Sequence, residues 1–562
     1  STRLVYRHGV PIVITTSCPQ WIGRTADGGT ISLSNYRLHI QPRRRAGAGT
    51  SVPVRLIDAV EISEMLHLVV LCKHGLQLKC TFSTGEQVVE WSRRLTSMLG
   101  PIISIQDTFA AAYAAWAKEQ PHTSVHRHIL RESHKSQRHW FGPEVERMEF
   151  TKSGAWRVTA VNAEYKLCMS YPPMLVVPNF YEYSCPRFRS LRRIPTAVWR
   201  HRGTGAVLAR SSQPEVGWFG WRSSEDERLL AAFVSAAQAD RPANGHTNKV
   251  RLQLGWTLPS KLLIVDARSY ASAVTNRARG GGCECIQYYP AADIQFMSLP
   301  NIHHVRRSFH QLRALCAEPS DIANWYSSLE RTLWPGYLSG VLRASGVAAR
   351  AVLAGRPVLV HCSDGWDRTP QILATAQLML DPYYRTIEGF RILIEREWLD
   401  FGHKFADRCG HSATEEPNER APIFLQWLDV VHQIMSQYPC SFEFNDALLI
   451  KLATHVHSCM FGTFLLNTMR ERREQRLPDL TASVWPLLLN PHYRNHLYAP
   501  PTEHDEVGTL WPQDGVRYMR LWFELFCGGG AGAAGGSGGP GREERPPQRP
   551  RDPPTHNGKH FT

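Results

Sequence analysis

The sequence predicts a multidomain protein in which a small β-rich domain precedes a large α/β domain and a C-terminal tail. Strand-like segments and one amphipathic helix fill residues 1–100. Across residues 143–526 strands alternate with helices, as is typical of an α/β domain. After Cys527 the composition collapses to Gly, Ala, Pro and Arg, which cannot bury enough apolar surface to order a chain. We therefore expect a linker at 101–142 and a disordered tail at 527–562.

The composition is that of a globular protein with a basic surface. Of 562 residues, 43% are hydrophobic and 20% are charged, and the net charge is +14. The N-terminus lacks a signal-peptide layout, no apolar run is long enough to span a bilayer, and thirteen scattered cysteines suit a reducing compartment. We therefore expect a cytoplasmic protein. The charge favours anionic partners; without a nucleic-acid signature, acidic membrane is favoured over nucleic acid, and a generally solvated basic surface is the alternative.

The first domain is predicted from short strands and one helix. Residues 11–16 and 29–40 are strand-like, and a hairpin over 67–82 turns at Gly75. A helix follows, opened by a capping box at 83–86. Its apolar residues fall on one face and are Val88, Trp91, Leu95 and Met98. The run at 43–45, three arginines, could touch lipid headgroups or lie in a solvated loop.

The linker and the start of the second domain offer no metal site. A helix is predicted over 109–116, and a polar stretch follows it. The histidines of this stretch lack the fixed geometry that a metal site needs. These histidines are His122, His126, His128, His134 and His139. Cys283-Glu284-Cys285 lacks a second pair of ligands, so zinc is not expected there either. Residues 236–258 have no periodicity and predict a surface loop, and 262–268 predict a buried strand.

The stretch 358–370 carries the chemistry. Val358–Val360 predict a buried strand, and Thr369-Pro370 predict a helix start, with Thr at the N-cap. A loop that enters a helix N-terminus presents backbone N–H groups and the positive end of the helix dipole to an anion. That field also stabilises a thiolate, so Cys362 is expected to have a lowered pKa and to be a nucleophile. Arg368 adds a fork of donors that fits phosphate oxygens.

Spacing alone is weak evidence, because a second Cys-x5-Arg copy runs from Cys18 to Arg24. That copy contains a proline, which lacks a donor, and bulky apolar residues, and no helix pattern follows it. We therefore interpret Cys18 as a structural thiol. In the loop at Cys362, Gly365 allows a tight turn around a bound group, which makes this loop the predicted phosphate cradle.

The loop sequence Cys-Ser-Asp-Gly-Trp-Asp-Arg-Thr, residues 362–369, resembles the signature of the active myotubularins, which remove the 3-phosphate from phosphoinositides. The resemblance continues through 380–390 and 397–405 and covers roughly residues 1–525. Several stretches are most similar to the subgroup that also carries a FYVE zinc finger. The tail shows neither such a finger nor a heptad-rich coiled coil, and in this the chain departs from the subgroup; truncation, an isoform or divergence would each explain the difference.

The resemblance implies a fold and a set of substrate contacts. Residues 1–100 correspond to a PH-GRAM domain, and the second domain to a cysteine-dependent phosphatase. Lys404 and Arg408 correspond to headgroup-phosphate contacts, although they could instead form a solvated helix face. Asn276 and Asn301 correspond to carboxamides near the phosphate site or are ordinary cap residues. The substrate would also contact the loop, at Ser363, Asp364, Gly365 and Trp366.

A proton donor is required for the leaving hydroxyl. The upstream Trp334-Pro335-Gly336 has no carboxyl, and Trp511–Asp514 lies downstream in the wrong register. Two loop carboxylates remain, Asp364 and Asp367. The resemblance implies that Asp367 is the general acid and that Asp364 contacts the inositol or supports the loop. Trp366 either packs the loop or meets the lipid.

These observations favour a phosphoinositide 3-phosphatase that requires no metal or other cofactor. The alternatives are a catalytically weak lipid-binding adaptor of the same family and a protein tyrosine phosphatase. Expected partners are phosphoinositides on acidic, endosomal or similar membranes, and the family resemblance adds homo- or hetero-oligomers with relatives. No nucleic acid is expected.

Overall fold

In a computed structural model the chain is described over residues 14–22, 26–42, 49–100, 102–119, 140–179, 188–242, 261–317, 324–411, 416–500 and 508–527. The arginines at 43–45, the five linker histidines and the tail from 528 lie outside these residues. Within the described ranges, no helix has both the length and the apolar character needed to cross a membrane.

The first domain is a seven-stranded antiparallel sheet closed by a helix. In chain order its strands are β1 (Ile14–Ile22), β2 (Ala26–Leu33), β3 (Arg37–Pro42), β4 (Thr50–Pro53), β5 (Ile57–Ser63), β6 (His67–Cys72) and β7 (Gln77–Thr81). In space they follow the order β4-β3-β2-β1-β7-β6-β5. The predicted hairpin at Gly75 is confirmed. Helix α1 (Gly85–Met98) buries Val88, Trp91 and Leu95 against this sheet, as predicted.

Two local predictions in this domain were wrong in detail. The single strand expected over 29–40 is two strands, because Ser34 forms a turn in which its backbone N–H donates to Arg37 O at 2.9 Å. The helix cap lies one residue later than expected: Thr84 is the N-cap, and its hydroxyl accepts from the Gln87 N–H at 3.3 Å. Cys18 lies within β1, outside any loop before a helix, and its partner Arg24 is outside the described residues.

The second domain is built on another seven-stranded sheet, in the order β13-β12-β14-β11-β10-β9-β8. Its strands are β8 (Trp156–Thr159), β9 (Leu175–Pro178), β10 (Thr196–Arg200), β11 (Val207–Arg210), β12 (Leu262–Asp266), β13 (Ala292–Phe296) and β14 (Val358–His361). Strands β11 to β14 are parallel where they pair, and β8 to β10 pair antiparallel with their neighbours. The sheet is therefore mixed, and β14 is an interior strand between β12 and β11.

Helices make up much of the rest of the chain that the structure describes. They are α2 (Phe109–Glu119), α3 (Phe141–Arg147), α4 (Ser224–Ala239), α5 (Tyr270–Thr275), α6 (Ile302–Ala317), α7 (Trp325–Arg331), α8 (Trp334–Leu353), α9 (Arg368–Leu380), α10 (Ile387–Ile394), α11 (Phe405–Cys409), α12 (Ile423–Gln437), α13 (Asp446–Ser458), α14 (Met469–Glu474), α15 (Leu477–Leu480), α16 (Trp485–Leu488) and α17 (Phe523–Phe526). A π-helix over Glu395–Asp400 continues α10. The surface loop predicted from 236 begins too early, because α4 extends to Ala239 and buries Ala236 and Ala237.

The position of β14 determines where the predicted loop lies. It pairs in parallel with β11 on one side and β12 on the other, so its carboxyl end is flanked by two strand ends. In open α/β sheets ligands bind at the carboxyl ends of strands. Helix α9 begins directly after the loop and is buried at every residue from Thr369 to Leu380. The loop is thus held between a central strand and a core helix.

Candidate active site

Cys362 lies at the carboxyl end of β14 and is only 2% exposed. Its Sγ accepts the Gly365 backbone N–H at 3.2 Å, and the Thr369 hydroxyl lies 3.5 Å from it. The strand–loop–helix arrangement is confirmed, but the helix begins at Arg368, earlier than predicted, with Asp367 at the N-cap. Thr369 therefore lies in the first turn, where its hydroxyl points at the sulfur instead of capping the helix.

The surroundings of Cys362 favour the thiolate. Burial alone would raise the pKa of this thiol, but the Arg368 guanidinium and the Thr369 hydroxyl stabilise the anion and bring the pKa below its ordinary value. A lowered pKa increases the thiolate fraction near neutral pH, and the thiolate is the nucleophilic form. Arg368 is half-buried, and its guanidinium also reaches the Ser363 hydroxyl, at 3.5 Å.

Gly365 is required by the shape of the loop. Its φ is +79°, in the left-handed region that favours glycine, and a Cβ placed there would lie 2.3 Å from the Ser211 carbonyl oxygen. Two buried guanidinium groups also hold the loop backbone: Arg193 and Arg210 both donate to the Gly365 carbonyl oxygen, at 3.0 and 2.8 Å. The backbone of Gly365 is thus held through its carbonyl by two guanidinium groups, while its N–H contacts Cys362.

Trp366 packs the loop. Its side chain is 7% exposed, with the Arg193 guanidinium 5.4 Å and the Lys404 ammonium 4.9 Å from its ring centroid. The carbonyl of Trp366 also lies 2.8 Å from Nδ1 of His403. Of the two interpretations left open by the sequence, packing is the one that this geometry favours.

A buried charge network lies beneath the nucleophile. His361 is fully buried, with Nε2 3.1 Å from a Glu284 carboxylate oxygen and Nδ1 3.0 Å from the Cys362 carbonyl. Arg189 donates to the other Glu284 oxygen at 2.6 Å. Burial disfavours a charged imidazole, but Glu284 outweighs it and raises the pKa of His361. Glu284 thus orients the strand end, a role that the sequence pattern Cys-Glu-Cys did not indicate.

The two loop carboxylates have opposite environments. Burial would raise the pKa of Asp367, but the Arg408 guanidinium binds it in a bidentate pair, at 3.0 and 2.9 Å, and holds its pKa far below the ordinary range. His403 lies 3.3 Å from the same carboxylate. Burial and the charge of Asp367 raise the pKa of Asp364, which has no ion pair among the described residues. In this state Asp367 is therefore ionised.

Of the two asparagines, the structure brings only Asn276 to the loop. Its amide donates to the Ser363 hydroxyl at 3.1 Å and to Gln213 Oε1 at 3.3 Å. Asn301 instead caps helix α6, where its side-chain oxygen accepts the His304 N–H at 3.0 Å. The described residues provide no hydrogen bond between Asn301 and the loop. Its cap role is the one that the geometry favours.

Both predicted cations beyond the loop contact it, Lys404 through the Trp366 ring and Arg408 through Asp367. Lys404 precedes α11, is one-third exposed, and pairs with Asp407 at 3.2 Å. The Arg408 side chain is only 4% exposed and also pairs with Glu419, at 2.8 Å. A solvated helix face is therefore the wrong description of Arg408.

Several site residues were missed by sequence reasoning. Arg193, Arg210, Glu284 and His403 all support the loop from distant segments. Their signal was weak, since none of them lies in a segment with a recognisable ligand or catalytic motif. Together with the loop they form an anion site with a buried thiolate at its floor.

Comparisons with known proteins agree with this chemistry. Residues 110–473 match the family model described as a myotubularin-like phosphatase domain. The chain is 45% identical over 536 residues to the phosphatidylinositol-3,5-bisphosphate 3-phosphatase MTMR4 of Xenopus laevis, covering 89% of this chain and 49% of that protein. It is 44% identical over 537 residues to human MTMR4, covering 90% of this chain and 44% of that protein. Against myotubularin of Rattus norvegicus it is 42% identical over 381 residues, 66% of this chain and 59% of that protein. The chain thus spans about half the length of the MTMR4 proteins it matches.

Proposed function

The chain belongs to the myotubularin family, and from that premise we propose that it is a phosphoinositide 3-phosphatase. The proposed reaction removes the 3-phosphate from phosphatidylinositol 3-phosphate and from phosphatidylinositol 3,5-bisphosphate. The observation that carries the proposal is the Cys362 thiol, with its lowered pKa, at the floor of a loop closed by Arg368. The printed names of the MTMR4 relatives support the substrate class.

The reaction proceeds in two displacements. The Cys362 thiolate attacks phosphorus, an S–P bond forms, and the bond between phosphorus and the inositol oxygen breaks. Backbone N–H groups of the loop and the Arg368 guanidinium hold the equatorial oxygens as charge rearranges. Water then attacks the phosphocysteine, releasing inorganic phosphate and regenerating the thiolate. No step requires a metal ion.

The leaving inositol oxygen needs a proton, and we assign it to Asp367. The ion pair with Arg408 keeps Asp367 ionised in the free protein, so the acid must form after substrate binds. A substrate phosphate carries more negative charge than a carboxylate and competes for Arg408. Once Arg408 turns to the phosphate, burial raises the pKa of Asp367 and allows it to carry a proton. Asp364 is the second candidate, because its pKa is already raised.

Leaving-group chemistry separates these two donors. Loss of the general acid should lower turnover of the lipid by about 10²–10⁴-fold. It should barely affect an aryl phosphate, whose phenolate departs without a proton. Asp367→Asn should therefore lose turnover of the lipid and retain turnover of the aryl phosphate. Asp364→Asn should retain turnover of both substrates. The reverse pattern would assign the proton to Asp364.

We extend the proposal to substrate contacts and to the rest of the chain. Ser363, Asn276, Lys404 and Arg408 are proposed to bind the headgroup, with Asn301 retained only as a cap. The N-terminal sheet and α1 are proposed to form a PH-GRAM-type domain over 1–100, joined by a linker to a phosphatase domain over 143–526. Peripheral association with endosomal or similar membranes, and homo- or hetero-oligomers with myotubularin relatives, are part of the same proposal.

The test is phosphate release from a panel of phosphoinositides and a phosphotyrosine peptide, with wild type and Cys362→Ser. The proposal predicts Cys362-dependent release from lipids that carry a 3-phosphate and none from the other lipids. Binding of 3-phosphorylated lipids without any release would indicate an adaptor. Preferential release from the peptide would indicate a protein tyrosine phosphatase.

A further inference from the structure

Three large aromatic side chains project into solvent from one short turn. Within the segment 217–221, Trp218 is 71% exposed, Phe219 88% and Trp221 67%. The Phe219 and Trp221 rings lie edge-to-face at 6.4 Å and so form one patch. Single exposed apolar residues are common, but adjacent exposed aromatics of this size mark an interaction surface.

The turn holds these rings outward by backbone contacts. The Trp221 N–H donates to Val216 O at 2.7 Å, and the Gly217 N–H donates to Gly280 O and Gly281 O, at 3.1 and 2.9 Å. Gly217 and Gly220 have φ values of +58° and +67°, in the left-handed region that favours glycine. The exposure of the aromatic rings is therefore specified by the fold.

The turn lies near the catalytic loop. Its chain leads back to Gln213, whose backbone N–H donates to the Ser363 carbonyl at 2.9 Å. Trp218 is five residues after Gln213, and an extended chain advances at most about 3.6 Å per residue, so the backbone of Trp218 lies within about 18 Å of that of Gln213. The segment against which it packs, ending at Gly281, also contains Asn276, which binds the Ser363 hydroxyl.

The charges around the turn are mostly basic. Arg279 is exposed and Arg277 half-buried, and neither has a carboxylate partner in the part of the chain that the structure describes. Arg222 pairs with Glu227 at 2.7 Å and stacks on Tyr288 at 4.2 Å. Burial raises the pKa of the acidic neighbour Glu215, although Arg192 opposes this effect. Two cations beside the aromatic tip are thus available for anionic lipid headgroups.

We propose that Trp218, Phe219 and Trp221 insert into the interfacial layer of an acidic bilayer and hold the active site against the membrane. Tryptophan and phenylalanine rings partition to this depth, and binding strength increases with the apolar area buried and with attraction between basic residues and anionic lipids. The inference rests on the proposed function only in placing the substrate in a bilayer. Insertion itself is independent of catalysis.

The experiment compares wild type with a Trp218→Ser, Phe219→Ser, Trp221→Ser variant. Sedimentation with vesicles of phosphatidylcholine and phosphatidylserine, without phosphoinositide, measures insertion separately from substrate binding. We expect binding to weaken by about tenfold in the variant, because the inserted apolar area is lost. Tyr326→Ser, which removes an 82% exposed aromatic ring from α7, is the matched control and should bind as wild type does.

Catalysis supplies the second measurement. Hydrolysis of a short-chain, monomeric phosphatidylinositol 3-phosphate should be unchanged in the triple variant, while hydrolysis of the same headgroup in vesicles should fall with binding. Phe219→Ser alone, which removes almost no packing, should show a smaller loss in the same direction and guards against misfolding of the triple variant.

Equal vesicle binding by wild type and the triple variant would overturn the proposal. If wild type hydrolyses neither form of the lipid, the proposed function fails, but the binding comparison still decides insertion. Weaker binding that is shared equally by Tyr326→Ser would also overturn the proposal, because the effect would then not be specific to the turn.

Discussion

Substituting Gly365 by alanine tests whether the loop geometry determines reactivity. The added Cβ would lie 2.3 Å from Ser211 O, against an ordinary contact of about 3.4 Å or more, so the loop must move by roughly 1 Å. The obstacle is backbone of the segment after β11, which cannot rotate away as a side chain could. The peptide whose N–H reaches Cys362 at 3.2 Å would be displaced with it.

Two costs follow from this displacement. A left-handed φ disfavours alanine by about 1–2 kcal/mol. A displacement of about 1 Å at a catalytic group lowers the rate by about 10²-fold. We therefore expect kcat/KM on a monomeric 3-phosphorylated lipid to fall about 10²-fold or more, and the pKa of Cys362 to rise as the N–H contact is lost.

The matched control is Gly154→Ala. Gly154 also has a left-handed φ, +71°, but a Cβ there meets nothing within 4 Å, so it carries the backbone cost without the collision. The assays are steady-state turnover and the pH dependence of Cys362 alkylation by iodoacetamide. Turnover by Gly365→Ala equal to that of Gly154→Ala would refute the argument that the Ser211 contact fixes the loop.

Three further predictions concern single side chains. Thr369→Val should raise the pKa of Cys362 by up to roughly one unit, because the hydroxyl beside the sulfur is lost, and the alkylation profile should shift accordingly. Thr375→Val is the control: Thr375 lies on the same helix, its buried hydroxyl makes no hydrogen bond among the described residues, and its loss should leave the pKa of Cys362 unchanged. The folded pKa of Asp367 lies below its unfolded value of about 3.9, so its stabilising contribution is complete above that pH and declines as the pH falls. The difference in Tm between wild type and Asp367→Asn should therefore be largest near neutral pH and shrink in acid; a difference independent of pH would contradict the ionised assignment. Lys404→Gln should lower kcat/KM for the 3,5-bisphosphate about tenfold more than it lowers kcat/KM for the monophosphate. Equal losses of kcat/KM on the two lipids would show that Lys404 does not recognise the 5-phosphate.

The features predicted well from the sequence were the local ones. The loop at Cys362 is contiguous with its strand and helix, so a few consecutive residues determine both flanks. The amphipathic helix α1 and the hairpin at Gly75 were equally predictable, because periodicity and a single glycine specify them. The boundaries of helices were harder to predict: the N-cap expected at Thr369 is Asp367 in the structure.

The support of the loop could not be predicted, because it depends on long-range contacts. Arg193 and Arg210 reach Gly365 from more than 150 residues away, and Glu284 reaches His361 from 77 residues away. No local pattern distinguishes these charges from ordinary surface residues. The ion pair between Arg408 and Asp367 is of the same kind, and it changes the expected protonation of the general acid.

The proposed mechanism is tested most directly by trapping the covalent intermediate. Wild type mixed with a 3-phosphorylated lipid and quenched in acid within one turnover would be digested and examined by mass spectrometry. The mechanism predicts phosphate bound through sulfur on the peptide that contains Cys362, absent from Cys362→Ser and chased away on longer incubation. Full turnover without a phosphorylated Cys362 peptide, or turnover retained by Cys362→Ser, would contradict it.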